Sequence, residues 1–190
     1  MLKYAFKEWA IICKALALGR QALILRKGGI DENAGSFRLE HTQFWLFPTY
    51  VHQQAAGIIP DALPLLESAQ ADRPQEGLIR LDHFAVVTGF YLLHDTVGAL
   101  RLAPYHIWST ETVHSRFRYR QPGLSTLVVR IYRAAQPLEL PDLPSYAGCH
   151  SWVELDRDFS TEGAAPVLND ADFREVSNSI ERALQPSAVT

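Results

Sequence analysis

Apolar residues recur along this chain in two rhythms. Phe6, Trp9, Ala10, Cys13, Leu16 and Ala17 follow one another at three- and four-residue steps. That spacing lines one face of a helix, and Gly19 is placed to end it. QALILRK at 21–27 reads as a short apolar strand, with Gly28-Gly29 turning the chain. After a polar loop, DENAGS at 31–36, a strand region is expected from Phe37 to Phe47, broken near Thr42 and stopped by Pro48. Thr49 is then expected to cap a short helix carrying His52 and Gln53.

A short helix around Leu63–Gln70 follows within a proline-bearing surface connection. LIRLDHFAVVTGFYLLH at 78–94 is apolar on both faces around Phe84–Leu93, as a central strand covered on each side must be. Helices are expected over Thr96–Leu102 and Thr110–Phe117, the second with Ser109 at its cap. LSTLVVRIYR at 124–133 is a second strong strand. Pro137, Pro141 and Pro144 mark a linker or edge loop, and SYAGCHSWVELD at 145–156 reads as a further strand. Asn169 or Asp170 caps a final amphipathic helix with Phe173, Val176, Ile180, Ala183 and Leu184 as its stripe. This order predicts an α+β fold: a mixed, mostly antiparallel sheet with packed helices in a single domain. Residues 1–156 would form the α+β body, and 157–190 a linker and helix packing on it or extending it.

Composition changes this picture little. Hydrophobic content of 47% and charge of 21% are those of an ordinary globular chain. No apolar run approaches the ~20 residues that span a bilayer. Glu8 and Lys14 interrupt the apolar N-terminal stretch and no small-residue cleavage site follows, so it is read as part of the domain and not as a signal peptide. Cys13 and Cys149 lie too far apart in sequence for a metal framework, and a reduced, cytoplasmic setting is expected.

Charge is more informative. The net value of −3 hides a segregation: residues 1–30 and 101–133 each carry +5, whereas 134–190 carries −7. Basic blocks of this kind bind phosphates or serve as solvated surface.

The familiar catalytic signatures are missing. The chain has no GxSxG elbow, P-loop, GxGxxG, HExxH or CxxC. None of its four lysines has an acid two positions earlier, which removes the usual restriction-nuclease pattern. Paired His-x-Ser/Thr motifs are absent as well. No cofactor and no metal is expected.

Three groups of candidate residues remain. Arg26 and Lys27 end a strand beside two glycines, where cations and exposed N–H groups together suit an anion; a plain hairpin turn would look the same. Glu40 and His41 on one side, His52 and Gln53 on the other, bracket the run Phe44–Phe47. His52 at a strand end could serve as acid, base or hydrogen-bond donor, or simply cap a turn. His106, Trp108 and Arg116 surround the start of a helix whose free N–H groups favour an anion. Trp108 either stacks on a base or belongs to the core.

Taken in order, FKEWA (6–10), LILRKGGI (23–30), FRLEHTQFWLFPTYVHQ (37–53), HIWS (106–109) with RF (116–117), and VRIYR (129–133) resemble an uncharacterised bacterial family, domain of unknown function 1802, over about residues 4–156. The resemblance implies no established activity and no catalytic residue. It implies, for some members, association with a restriction-endonuclease-like partner, and so work connected with DNA restriction or defence.

Three readings follow. A binding module for a nucleotide or nucleic acid would use Arg26, Lys27, His52, Gln53, His106 and Arg116 around one cleft. A metal-independent hydrolase or transferase would pair His52 or His106 with Glu40, and use Arg26 on developing charge. A structural or interaction protein would expose the stripe of its last helix to a partner. The first is favoured, because no catalytic pattern survives and two basic blocks do; whether the protein is an enzyme stays open.

Overall fold

The computed structural model describes residues 1–27 and 37–185. The N-terminal segment is a strand followed by a helix: β1 (Leu2–Trp9) runs straight into α1 (Ala10–Ala17). The expected helix therefore starts later than its apolar spacing implied. The three- and four-residue steps are satisfied equally by Phe6 inside a strand and by Ala10, Cys13 and Ala17 on a helix. Strand alternation then puts Phe6 and Glu8 on the same face.

β2 (Leu23–Arg26) and β3 (Gln43–Thr49) follow. Pro48 does not stop β3: it is in register with Glu8, and the strand ends one residue later. No helix follows Thr49 before a 3₁₀ turn at Ala55–Gly57, and the Thr49 hydroxyl donates instead to the Glu8 carbonyl at 3.0 Å. Residues 37–42 carry no strand.

The middle of the chain is as expected: α2 (Leu63–Ala71), β4 (Leu78–Leu93), α3 (Thr96–Arg101) and α4 (Thr110–Arg118). β5 (Leu124–Pro141) is longer than its apolar core. It carries Pro137 and Pro141, so the expected linker or edge loop is strand as far as Pro141. β6 (Trp152–Phe159), the two-residue β7 (Ala165–Pro166) and α5 (Asp170–Leu184) complete the fold. The last of the expected strands thus begins at Trp152 instead of Ser145, with a 3₁₀ turn, Pro144–Tyr146, before it.

The strands form one sheet in the order β2-β5-β4-β3-β1-β6, with β7 paired to β5. β1 and β3 are parallel, and the other named pairs are antiparallel. This is the mixed, mostly antiparallel α+β architecture expected. Apolar clusters cover both faces of the sheet. Phe44 and Leu46 join the larger one with α1, while Trp45 and Phe47 join the smaller one with Leu81, Phe84 and Val153. The uninterrupted run Phe44–Phe47 is therefore a strand buried on both sides. Each such side chain contributes about 1.5–3 kcal/mol of burial.

α5 is capped by the Asn169 carboxamide oxygen, which accepts from the N–H groups of Ala171 and Asp172. Ile180 is fully buried in the larger cluster, with Phe173, Val176, Ala183 and Leu184 packed against it. The stripe completes the domain's own core and does not present a free docking face. Among the described residues no helix is long and apolar enough to cross a membrane.

Candidate functional site

Parallel pairing brings the C-terminal ends of β1 and β3 to the same edge, next to the start of α1. Glu8 occupies this edge and is 1% exposed. One carboxylate oxygen, Oε1, accepts from the Trp9 N–H at 2.8 Å. The other, Oε2, has no hydrogen-bond partner among the described residues and lies 3.7 Å from Arg26 Nη1. A buried carboxylate held this loosely is costly unless a counter-charge is close.

Two guanidiniums supply that charge. Arg26 ends β2, donates from Nε and Nη2 to Ser151 Oγ at 3.2 and 3.0 Å, and lies over the Phe6 ring. Arg116 comes from α4. It donates to the Leu25 carbonyl at 3.2 Å, and its guanidinium carbon lies 3.7 Å from the centre of the Trp108 ring. Burial pushes Arg116 down to about 10; the Glu8 carboxylate opposes this and Arg26 adds to it. Arg116 remains charged at neutral pH, so this edge sets two guanidinium groups against one carboxyl group.

Aromatic and amide groups frame these charges. Trp9 packs edge-on against Trp108 with ring centroids 4.7 Å apart. Trp108 is 2% exposed, so it is a core residue, yet its indole Nε1 has no hydrogen-bond partner among the described residues. Gln53 accepts from the Ile11 N–H at 3.0 Å and so caps the first turn of α1, while its Nε2 is buried with no hydrogen-bond partner among the described residues. Ser109 caps α4 by accepting from the Thr112 N–H, and its hydroxyl donates to the Ala56 carbonyl. Backbone bonds from Ser109 to Gly57 and from Ile59 to Ile107 then lock the 55–59 turn against this segment. Around the β1–α1 junction one acceptor, Glu8 Oε2, and two donors, Gln53 Nε2 and Trp108 Nε1, are thus left without hydrogen-bond partners among the described residues.

The remaining candidates are placed differently. Lys27 donates to the carbonyls of Gln121 and Gly123, tying the α4–β5 turn to the end of β2, and burial lowers its pKa. The Gly28-Gly29 turn and the 31–36 loop lie outside the described residues. Glu40 and His52 are exposed. His41 stacks on Tyr4 at 3.6 Å. His106 is 4% exposed: its Nδ1 accepts from the Trp108 N–H, its Nε2 is unpaired, and burial pushes it down to about 4. No hydrogen bond links Glu40 to either histidine, so the acid–base pair expected from sequence does not form among the described residues.

The structure therefore gathers Arg26, Arg116, Trp108 and Gln53, and leaves Glu40 and His52 outside. It adds Glu8, Trp9 and Ser151, which sequence reasoning passed over. Glu8 did carry a signal, as the one acid in a basic, apolar N-terminus. Among the described residues no group of three or more His, Cys, Asp or Glu side chains is placed to hold a metal ion.

Comparison with known proteins adds a family and little more. No curated protein matches the chain. Among solved structures, the ASCH protein from Zymomonas mobilis is similar at 12% identity and a TM-score of 0.42, covering 92% of this chain and 93% of that one. A tyrosine-to-phenylalanine mutant of the same protein gives 10% identity and a TM-score of 0.47, covering 92% and 96%. A likeness at this level carries no functional argument. The nuclease partner that the resemblance implies has no support in the family description. The model of the family described as a domain of unknown function, DUF1802, matches residues 5–179, and the chain belongs to that family.

Proposed function

We propose that the protein is a binding module for a phosphate-bearing ligand, a nucleotide or a nucleotide within a nucleic-acid strand, docked at the β1–α1 junction. The observation that carries this reading is Glu8 Oε2, buried beside Arg26 and close to Arg116, with no hydrogen-bond partner among the described residues. A ligand with a phosphate alone would be repelled by Glu8. A ligand with an amino group alone would be repelled by the arginines. A nucleotide offers both: an exocyclic amine for the carboxylate and phosphate oxygens for the guanidinium donors. Trp9, partly exposed beside Trp108, supplies an aromatic edge for the base. Exposed Arg38, Arg118 and Arg120 extend positive charge for a strand beyond one nucleotide.

His106 does not support an enzymatic reading. Its accepting Nδ1 fixes the proton on Nε2, and an imidazole held near 4 is a weak base at neutral pH.

The test is fluorescence anisotropy with labelled short RNA and DNA strands, a matching duplex, and unlabelled nucleotides as competitors, at several salt concentrations. Binding that weakens with salt, by a slope of about −0.7 per single-strand phosphate contacted, is expected. Arg26→Gln is expected to weaken it at least tenfold by removing one of the two guanidiniums. Failure to bind any of these at low salt, or full affinity in R26Q, would overturn the reading.

A further inference from the structure

A concavity lies on the side of α1 that carries Cys13, Lys14 and Ala17. It encloses about 330 Å³, at the lower end of the ~300–1,000 Å³ that small-ligand sites occupy. Its origin is a defect in the β4–β5 ladder. Leu81 pairs with Leu138 and His83 with Arg133, so the single residue Asp82 faces an excursion of β5 over Ala134–Pro137. That excursion forms one wall, and the small side chains Ala10 and Ala17 of α1 and Ala69 of α2 leave the space opposite. Such bulges are built features that re-aim side chains at sites.

Most charges around the cleft are paired. Lys14 is paired with Asp72, and Arg80 with Asp82 at 3.0 Å and Glu139 at 3.9 Å. Arg133, exposed at the rim, has no ion pair among the described residues, and His83 is its register partner. Burial, with Arg133 and Lys14 adding to it and Asp82 opposing, lowers the His83 pKa. Burial also pushes the Tyr50 hydroxyl up to about 12, so it stays a neutral donor in the same lining. The cleft therefore combines apolar walls, one exposed guanidinium with no ion pair among the described residues, and two neutral polar groups.

We infer that this cleft binds a small organic monoanion, a carboxylate on a short apolar body, with Arg133 holding the carboxylate and the alanine-lined walls holding the body. A guanidinium fork matches a carboxylate through two parallel hydrogen bonds. A single free guanidinium suits a monoanion better than a phosphate monoester, whose second ionisation brings it close to two charges. The site shares no side chain with the Glu8 group, so the two proposals stand or fall apart.

Hexanoate, hexanamide and hexyl phosphate are the probes, followed by amide-shift titration and calorimetry on the full chain. Saturable hexanoate binding is expected, with shifts at His83 and Tyr50. It should be at least tenfold weaker for hexanamide, and at least tenfold weaker in Arg133→Gln. Ala17→Phe, which fills the cleft from α1, is expected to abolish it, and AMP is expected not to compete. Equal binding of hexanoate and hexanamide, no loss in R133Q, no loss in A17F, or displacement by AMP would overturn the inference. Tighter binding of hexyl phosphate than hexanoate would overturn the carboxylate assignment.

Discussion

Replacing Glu8 by Gln tests the electrostatic core of the candidate site. At 3.7 Å the Glu8–Arg26 attraction is about 4 kcal/mol in gross terms for an effective dielectric near 20. Burying the carboxylate consumes much of that, so the wild-type pair contributes little net stability. The variant is different. Glutamine keeps the Oε1 bond from Trp9 and the packing, but leaves Arg26 and Arg116 without their counter-charge in a buried setting. Breaking such a pair costs about 3–5 kcal/mol. With the Arg26 side chain still 18% exposed, we expect the low end, about 3 kcal/mol, or a fall of roughly 6–12 °C in Tm for a chain of this size. Urea unfolding at unchanged m-value would measure it. A double-mutant cycle with Arg116→Met sharpens the result, because removing both charges should recover more than about 1 kcal/mol of the loss. Stability of E8Q within about 0.5 kcal/mol of wild type, a change no larger than an ordinary surface substitution gives, would show that the carboxylate and guanidiniums are not coupled. Strict additivity in the cycle would show the same.

Three further outcomes follow from the same geometry. Ser109→Ala removes the α4 cap and the bond to Ala56, and should cost about 1–2 kcal/mol by urea unfolding. Gly57→Ala places a Cβ 2.7 Å from the Trp9 ring, which is itself packed on Trp108, and should cost about 1–3 kcal/mol by the same measurement. His106 binds its proton less readily folded than unfolded, so the unfolded chain takes up more protons between about pH 6.5 and 4. Stability should therefore be fully present above that window and fall as pH drops through it, by about 2 kcal/mol near pH 5 for this group. His106→Asn should flatten that part of the pH–stability curve, and an unchanged slope would refute the assignment.

Much of the architecture was legible because local periodicity and capping report on one element at a time. β4, α4 with Ser109, and α5 with Asn169 all follow from residues within a few positions of each other. Where two elements share one apolar spacing, the reading broke: Phe6 to Ala17 fits a helix on paper, and only the pairing of β1 with β3 and β6 makes its first part a strand. Pro48 misled for a related reason. A proline that ends most strands is tolerated here as the last residue but one of β3.

The candidate site was legible only in part. Arg26, Gln53, Trp108 and Arg116 were named from their types and positions, whereas Glu40 and His52 were named for the same reasons and fall outside. Glu8 and Ser151 reach Arg26 from 18 positions before it and 125 positions after it. No local pattern encodes such a meeting.

The sequence by itself determined the class of fold, the residues that must be buried, and the membership of a family, since each depends on side-chain chemistry read along the chain. The tertiary structure alone decided that a carboxylate and two guanidiniums share one buried edge, and that a break in the β4–β5 ladder opens a cleft. Burial energy is indifferent to which polar groups it traps. Their juxtaposition is set by sheet order and register, which are properties of the folded chain.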